Sequence, residues 1–187
     1  MISILGNLCS IDAELLRVFV APFRVSMLER EQHFVRAGEV GFDVCFVHEG
    51  LLRSYYLSAK GQEFNKHFFV EGSFAAPLAS LVTHEPSPVS IDALEATTVL
   101  RTSYSNLLEI YEKYPALNEV GRVLVEYAWI GKERRETQLI MLNAAERYRA
   151  FLKEFPGLSQ RIPQYQIASY LGITPVQLSR IRAERSR

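Results

Sequence analysis

Four side chains near the C-terminus recur at spacings that suit the reading of nucleobase edges. Val176, Gln177, Ser179 and Arg180 fall on or beside the outer face of one short helical segment. An arginine guanidinium can donate two parallel hydrogen bonds to guanine O6 and N7, a glutamine amide can pair with adenine, and a valine can touch a thymine methyl. Arg182 and Arg185 follow, placed to neutralise phosphates. With Thr174 at the start of the segment, these seven residues form the expected DNA-binding set.

Such side chains read nothing unless two helices hold them out. Ile167, Ala168 and Leu171 give a first helix an apolar stripe, with Ala168 small where two helices would cross. Pro163 sits where a first-turn proline is tolerated. Gly172 then ends the helix, because glycine adopts the left-handed backbone without a Cβ penalty. Ile173 plugs the turn. Thr174, Pro175 and Gln177 spell a T-x-x-Q capping box with proline at the first helical position. Leu178 and Ile181 supply the second helix with its buried stripe. The spacing predicts a helix-turn-helix.

Charge supports a polyanion partner for this end. Lys plus Arg number 21 and Asp plus Glu number 21, so the 187-residue chain is neutral as a whole. Residues 144–187, however, carry eight basic and three acidic side chains, a net of +5 that leaves −5 on residues 1–143. A basic end on an acidic body suits nucleic acid. The apolar runs are too short to span a bilayer. The first eight residues lack a basic signal-peptide region, so a cytoplasmic location is expected. Cys9 and Cys45 form no C-x-x-C pair, and no zinc or redox motif is expected.

Upstream, three textures follow one another. Ser10 is placed to cap a helix over residues 10–20. Short runs rich in Val, Phe, Tyr and Leu come next: Phe23–Leu28, Val44–His48, Leu51–Leu57, Asn65–Phe69, Val89–Leu94 and Thr98–Thr102. Gly38, Gly50, Gly61 and Gly72 punctuate them at intervals of 12, 11 and 11 residues, the rhythm of an antiparallel jelly roll. Ser103 caps a helix running through Tyr111, and Pro115 opens a long one ending near Met141. Its small residues Gly121, Ala128 and Gly131 would let a second copy of the helix approach closely, so a dimer seam is expected. Asn143 and Glu146 start a helix that ends at Pro156-Gly157.

This order resembles that of the Crp/Fnr superfamily of transcription regulators. The strongest local match is Ile167-Ala168-Ser169-Tyr170-Leu171-Gly172-Ile173-Thr174-Pro175, continuing to Leu178-Ser179-Arg180-Ile181; Tyr111-Glu112-Lys113-Tyr114-Pro115 matches the entry to the long helix. The resemblance implies an α+β protein. An N-terminal antiparallel β-roll with flanking helices covers residues 1–114, a long dimerisation helix 115–142, and a C-terminal helix-turn-helix domain 143–187. It also implies a homodimer that reads palindromic double-stranded promoter DNA in half-sites one turn apart. RNA polymerase is a further expected partner.

One part departs from the resemblance. In cyclic-nucleotide binders of the superfamily, a cassette after a G-x-F turn carries a Gly-Glu pair and then an Arg-Ser pair. Here Gly72-Ser73-Phe74 is followed by Ala76-Pro77 and Ser87-Pro88 at those positions, and no Lys or Arg lies between His67 and Arg101. A buried cyclic phosphate without a cation is costly. The effector is therefore expected not to be cyclic AMP, and no cofactor is expected. The iron–sulfur variant lacks its cysteines. His33, His48, His67, His84 and Cys45 make no haem pattern, and without H-x-H a cupin-type metal site is not expected. No catalytic motif appears, so the chain is not expected to be an enzyme. The competing reading is a small-ligand-binding roll whose helix-turn-helix is vestigial.

Overall fold

The computed structural model describes the backbone of residues 1–185 and the side chains of residues 1–184. Among the described residues, eight strands form two four-stranded sheets. They are β1 (Arg24–Leu28), β2 (His33–Val35), β3 (Asp43–Glu49), β4 (Leu52–Leu57), β5 (Glu63–Phe69), β6 (Phe74–Ala75), β7 (Ser90–Ala93) and β8 (Thr97–Ser103). The first sheet runs β1-β8-β3-β6 and the second β2-β7-β4-β5, with antiparallel pairing throughout. Leu28, Val47, Leu52, Ile91, Ala93 and Val99 fill the space between them. The result is the α+β roll-and-helix architecture expected.

The glycine rhythm has a direct cause. Gly38, Gly50, Gly61 and Gly72 all adopt positive φ, between 77° and 102°. At Gly50 a side chain is also excluded by space, since a Cβ would come within 2.7 Å of the Thr97 backbone. The turns between strands therefore require glycine on conformational grounds.

The N-terminal expectation needs correction. Two helices stand there, α1 (Ile2–Leu8) and α2 (Ala13–Val20). Asp12, not Ser10, caps α2 by accepting a hydrogen bond from the Glu14 amide at 2.7 Å. Leu5, Leu16 and Phe19 are buried together with Leu117 and Val120, against Val44, Phe74 and Leu100 of the first sheet. The apolar residues of α1 are too few to signal a helix in isolation; burial on the sheet makes it one. Strands β2 and β6, with three and two residues, and helix α3 (Leu78–Thr83) were likewise too short to announce themselves.

Helix α4 (Tyr104–Lys113) follows β8, and Ser103 caps it as expected, accepting from the Asn106 amide at 3.2 Å. Pro115 opens a 3-10 turn, Pro115–Leu117, rather than the long helix itself. The long helix α5 spans Asn118–Met141, 24 residues, or roughly 36 Å at 1.5 Å per residue. Gly121 does not serve a second helix: a Cβ there would meet the Tyr111 hydroxyl of the same chain at 2.9 Å. Gly131 has open space around it.

The last four helices are α6 (Ala144–Glu154), α7 (Leu158–Arg161), α8 (Gln164–Leu171) and α9 (Pro175–Arg185). The expected capping box at Asn143 and Glu146 is present in both directions, at 3.0 and 2.9 Å. The four-residue α7 is an addition to the sequence reading. Pro163 precedes α8 as its N-cap instead of occupying its first turn.

Candidate nucleic-acid interface

Helices α8 and α9 build the head from the residues upward. Ile167, Ala168 and Leu171 are fully buried, as is Leu178 from α9. Gly172 turns between the helices at φ 67°, and Ile173 packs against the same core. The Thr174 hydroxyl accepts from the Gln177 amide and the Gln177 side-chain oxygen accepts from the Thr174 amide, both at 3.2 Å. The helix-turn-helix spacing thus closes into a helical pair with a doubly satisfied N-terminus.

Most of the expected set is exposed on α9 or at its start. Thr174, Val176, Gln177, Ser179 and Arg180 are all exposed, Val176 by 62% despite being apolar. Gln177 and Arg180 line an open groove of about 300 Å³ with Ile181 and with Asn143, Ala144 and Ala145 from the start of α6. The groove brings the Gln177 amide and Arg180 beside the capped start of α6. Arg182 is half-buried and already engaged within the chain. The Arg185 side chain lies outside the described residues.

The basic tail is less available than its count implied. Arg147 donates to the Leu171 carbonyl at 2.9 Å and the Leu142 carbonyl at 2.7 Å, tying α6 to the ends of α8 and α5. Arg161 is held by Glu71 and Glu95 of the roll. Both are spent on internal structure.

Sequence reasoning missed the surface on which this head sits. Helix α8 packs on the outer face of the second sheet. Phe68 of β5 stands among Phe151, Phe155 and Tyr170, with ring centroids 6.2, 5.8 and 5.3 Å away. Each such aromatic pair adds about 0.5–1.5 kcal/mol beyond its area. Beside this cluster Arg53 is 6% exposed and pairs with Asp92 through both ends, at 2.8 and 3.0 Å. Burial works against its charge, but Asp92 and Glu63 outweigh that and hold the guanidinium firmly protonated. The available signal was an arginine between Leu52 and Ser54 and an aspartate between Ile91 and Ala93: charges inside otherwise buried strands.

The cassette region offers little space. The Ser87 hydroxyl donates to the Val89 carbonyl at 2.7 Å and the Ser80 hydroxyl to the Glu85 carbonyl at 2.6 Å. The cavity nearby, lined by Phe34, Val35, Pro77 and Arg101 among others, measures about 90 Å³. Typical small-molecule sites span roughly 300–1,000 Å³. Arg101, which borders it, is ion-paired with Asp43. Among the described residues no group of three His, Cys, Asp or Glu side chains is placed to hold a metal ion. Cys45 is buried, and burial pushes its thiol up to about 12.

Residues 26–114 match the cyclic nucleotide-binding domain family. The matched segment covers β2 to β8 and α4, together with most of β1. Solved structures resemble nearly the whole chain. FixK2 from Bradyrhizobium japonicum superposes with a TM-score of 0.76 at 19% identity, over 87% of this chain and 83% of that one. CLP from Xanthomonas campestris, a c-di-GMP-responsive global regulator, gives 0.74 at 14% identity, over 94% and 92%. The catabolite activator protein of Thermus thermophilus gives 0.61 at 20% identity, over 98% and 86%. The fold is that of Crp/Fnr regulators. No curated protein matches the chain in sequence.

Proposed function

We propose that the chain is a sequence-specific, DNA-binding transcription regulator of the Crp/Fnr type and not an enzyme. The observation that carries this is α9: a helix capped at both Thr174 and Gln177, anchored by one buried leucine, with Val176, Gln177, Ser179 and Arg180 turned to solvent. Thr174 and Arg182 complete the set, and Arg185 extends it.

The functional unit is a homodimer. Val125, Tyr127, Trp129, Ile130, Ile140 and Met141 of α5 are exposed large hydrophobics. Apolar side chains left exposed on a helix are what a paired helix would cover. Residues 1–114 act as the sensor, 115–142 as the dimerisation helix and 143–187 as the reader. RNA polymerase is the partner an activating role would require. No helix among the described residues is long and apolar enough to cross a membrane, in keeping with work in the cytoplasm. The effector is other than cyclic AMP; the serines spent on backbone and the absence of cations between His67 and Arg101 support this.

Selection of bound duplexes from a random pool tests the reading. Recovery of a palindrome supports it and gives the half-site spacing. No enrichment over several rounds at low salt overturns it.

A further inference from the structure

The head and the roll meet through a buried polar network as well as through aromatic packing. Arg53 Nη1 donates to the Gln166 side-chain oxygen at 2.9 Å and to Asn65 Oδ1 at 3.2 Å. Asn65 Nδ2 donates to the same Gln166 oxygen at 2.6 Å and to the Gln166 carbonyl at 2.9 Å. One helical turn on, the Ser169 hydroxyl donates to the Glu63 carbonyl at 3.1 Å and accepts from the Asn65 amide at 3.0 Å. Glu63 also pairs with Arg53 at 2.7 Å. Gln166 is 3% exposed, and Asn65 and Asp92 are buried with it.

Apolar contact tolerates sliding, whereas hydrogen bonds are satisfied in one register. A buried network with its members paired therefore selects a single geometry. The geometry selected here has a particular consequence. It is α8 that lies on the roll, and α9 keeps its outer face open. The docking presents the reading helix instead of masking it. Arg53 and Asp92 also alternate along their strands with Leu52, Ile91 and Ala93, which face the interior of the roll. Any change inside the roll lies one residue away from the network.

We infer that Gln166, gripped by Arg53 and Asn65, is the positioning residue that couples the roll to the head and holds α9 in its DNA-reading orientation. The inference rests on the proposal that the head reads DNA. Gln166 itself touches no DNA; it acts through the orientation of α8.

The test uses the full chain and two substitutions at one site. Gln166→Leu removes the oxygen that Arg53 and Asn65 share but leaves Arg53 paired with Asp92 and Glu63. Gln166→Glu keeps an acceptor there. The probe is the duplex recovered by selection with the wild-type chain. Gln166→Leu is expected to bind it about ten-fold more weakly, since the competent orientation becomes a minor population. The salt dependence should stay the same because no phosphate contact is lost. Gln166→Glu should bind like wild type; a role in filling space alone would give near wild-type binding by Gln166→Leu as well, since leucine fills a similar volume. Amide exchange of α8 and β5 is measured in parallel without DNA, and should quicken in Gln166→Leu only. Wild-type or tighter duplex binding by Gln166→Leu overturns the inference. If the wild-type chain enriches no duplex, the DNA reading falls by itself and exchange judges the coupling: unchanged exchange in Gln166→Leu overturns it too.

Discussion

Arg161 of α7 grips Glu71, the residue before the Gly72 turn of the roll, with both ends of its guanidinium: Nη1 to Oε2 at 3.0 Å and Nη2 to Oε1 at 2.7 Å. A second carboxylate, Glu95, pairs with the same arginine. The head is thereby pinned to the roll at a second place, at the edge of the contact where Arg53 sits deep.

This pin makes stability depend on pH. Arg161 holds the Glu71 carboxyl down at about 2, below its ordinary 4.5. A carboxylate depressed on folding contributes stability that is complete above its unfolded pKa and is lost as pH falls toward the folded one. His67, enclosed by the rings of Phe69 and Phe155, is lowered by burial and by Lys66 and Arg135 to about 4 from 6.5. Its unfolded form takes up a proton first, so acidification below 6.5 also destabilises. Melting temperature is expected to fall from pH 6.5 downward, in one window from 6.5 to 4 and another from 4.5 to 2. Glu71→Gln should flatten the lower window and His67→Phe the upper. Parallel curves for wild type and both variants would count against these assignments.

Arg180→Ala is expected to weaken binding of the selected duplex by about 1–3 kcal/mol and to relax the preference at one base pair of each half-site. Arg180 is exposed on α9 and its removal leaves the buried Leu178 in place, so the melting temperature should hold. Binding titrations across single-base variants of the duplex measure this. A uniform loss over all bases would make Arg180 a phosphate contact instead.

Gly172→Ala should cost about 1–2 kcal/mol of stability, because φ at that turn is 67° and a left-handed backbone penalises a Cβ. Space is not the obstacle: the added carbon would meet Leu139 Cδ2 at an ordinary 3.8 Å. Gly172→Asn should cost less, since asparagine tolerates this conformation. Urea denaturation ranks the three, and equal stability of Ala and Gly would contradict the argument.

Trp129→Asp places a charge among the exposed apolar side chains of α5, beside Val125 one turn away, where tryptophan is 62% exposed in the single chain. If two α5 helices pair there, the variant should sediment as a monomer. Its affinity for a palindrome should drop about a hundred-fold or more through lost avidity, with half-site binding retained. A variant that stays dimeric would place the seam elsewhere on the helix.

Much of the head was legible because its signals are local. Ala168, Gly172, Thr174 and Gln177 each act on neighbours within a few residues, through a close crossing, a left-handed turn and a capping box. The roll showed itself through its glycines for the same reason. Helix α1 and strands β2 and β6 did not, because so few residues carry no periodicity and are stabilised only by what covers them. Gly121 was misread in the same way: sequence shows that a small residue is needed, and only Tyr111 shows for what.

The sequence by itself determined the helix-turn-helix, its caps, the order of roll, long helix and head, and the missing cations of the cassette. These follow from backbone conformation and side-chain type, which are properties of short stretches. Only the tertiary structure decided which arginines remain free and where the head rests. Arg53 and Gln166 are 113 residues apart in the chain, as are no two residues of a local motif, and nothing in either neighbourhood points to the other. Their bond exists because folding buries both charges and amides in one place, where each must find a partner or pay the cost of leaving water unpaired.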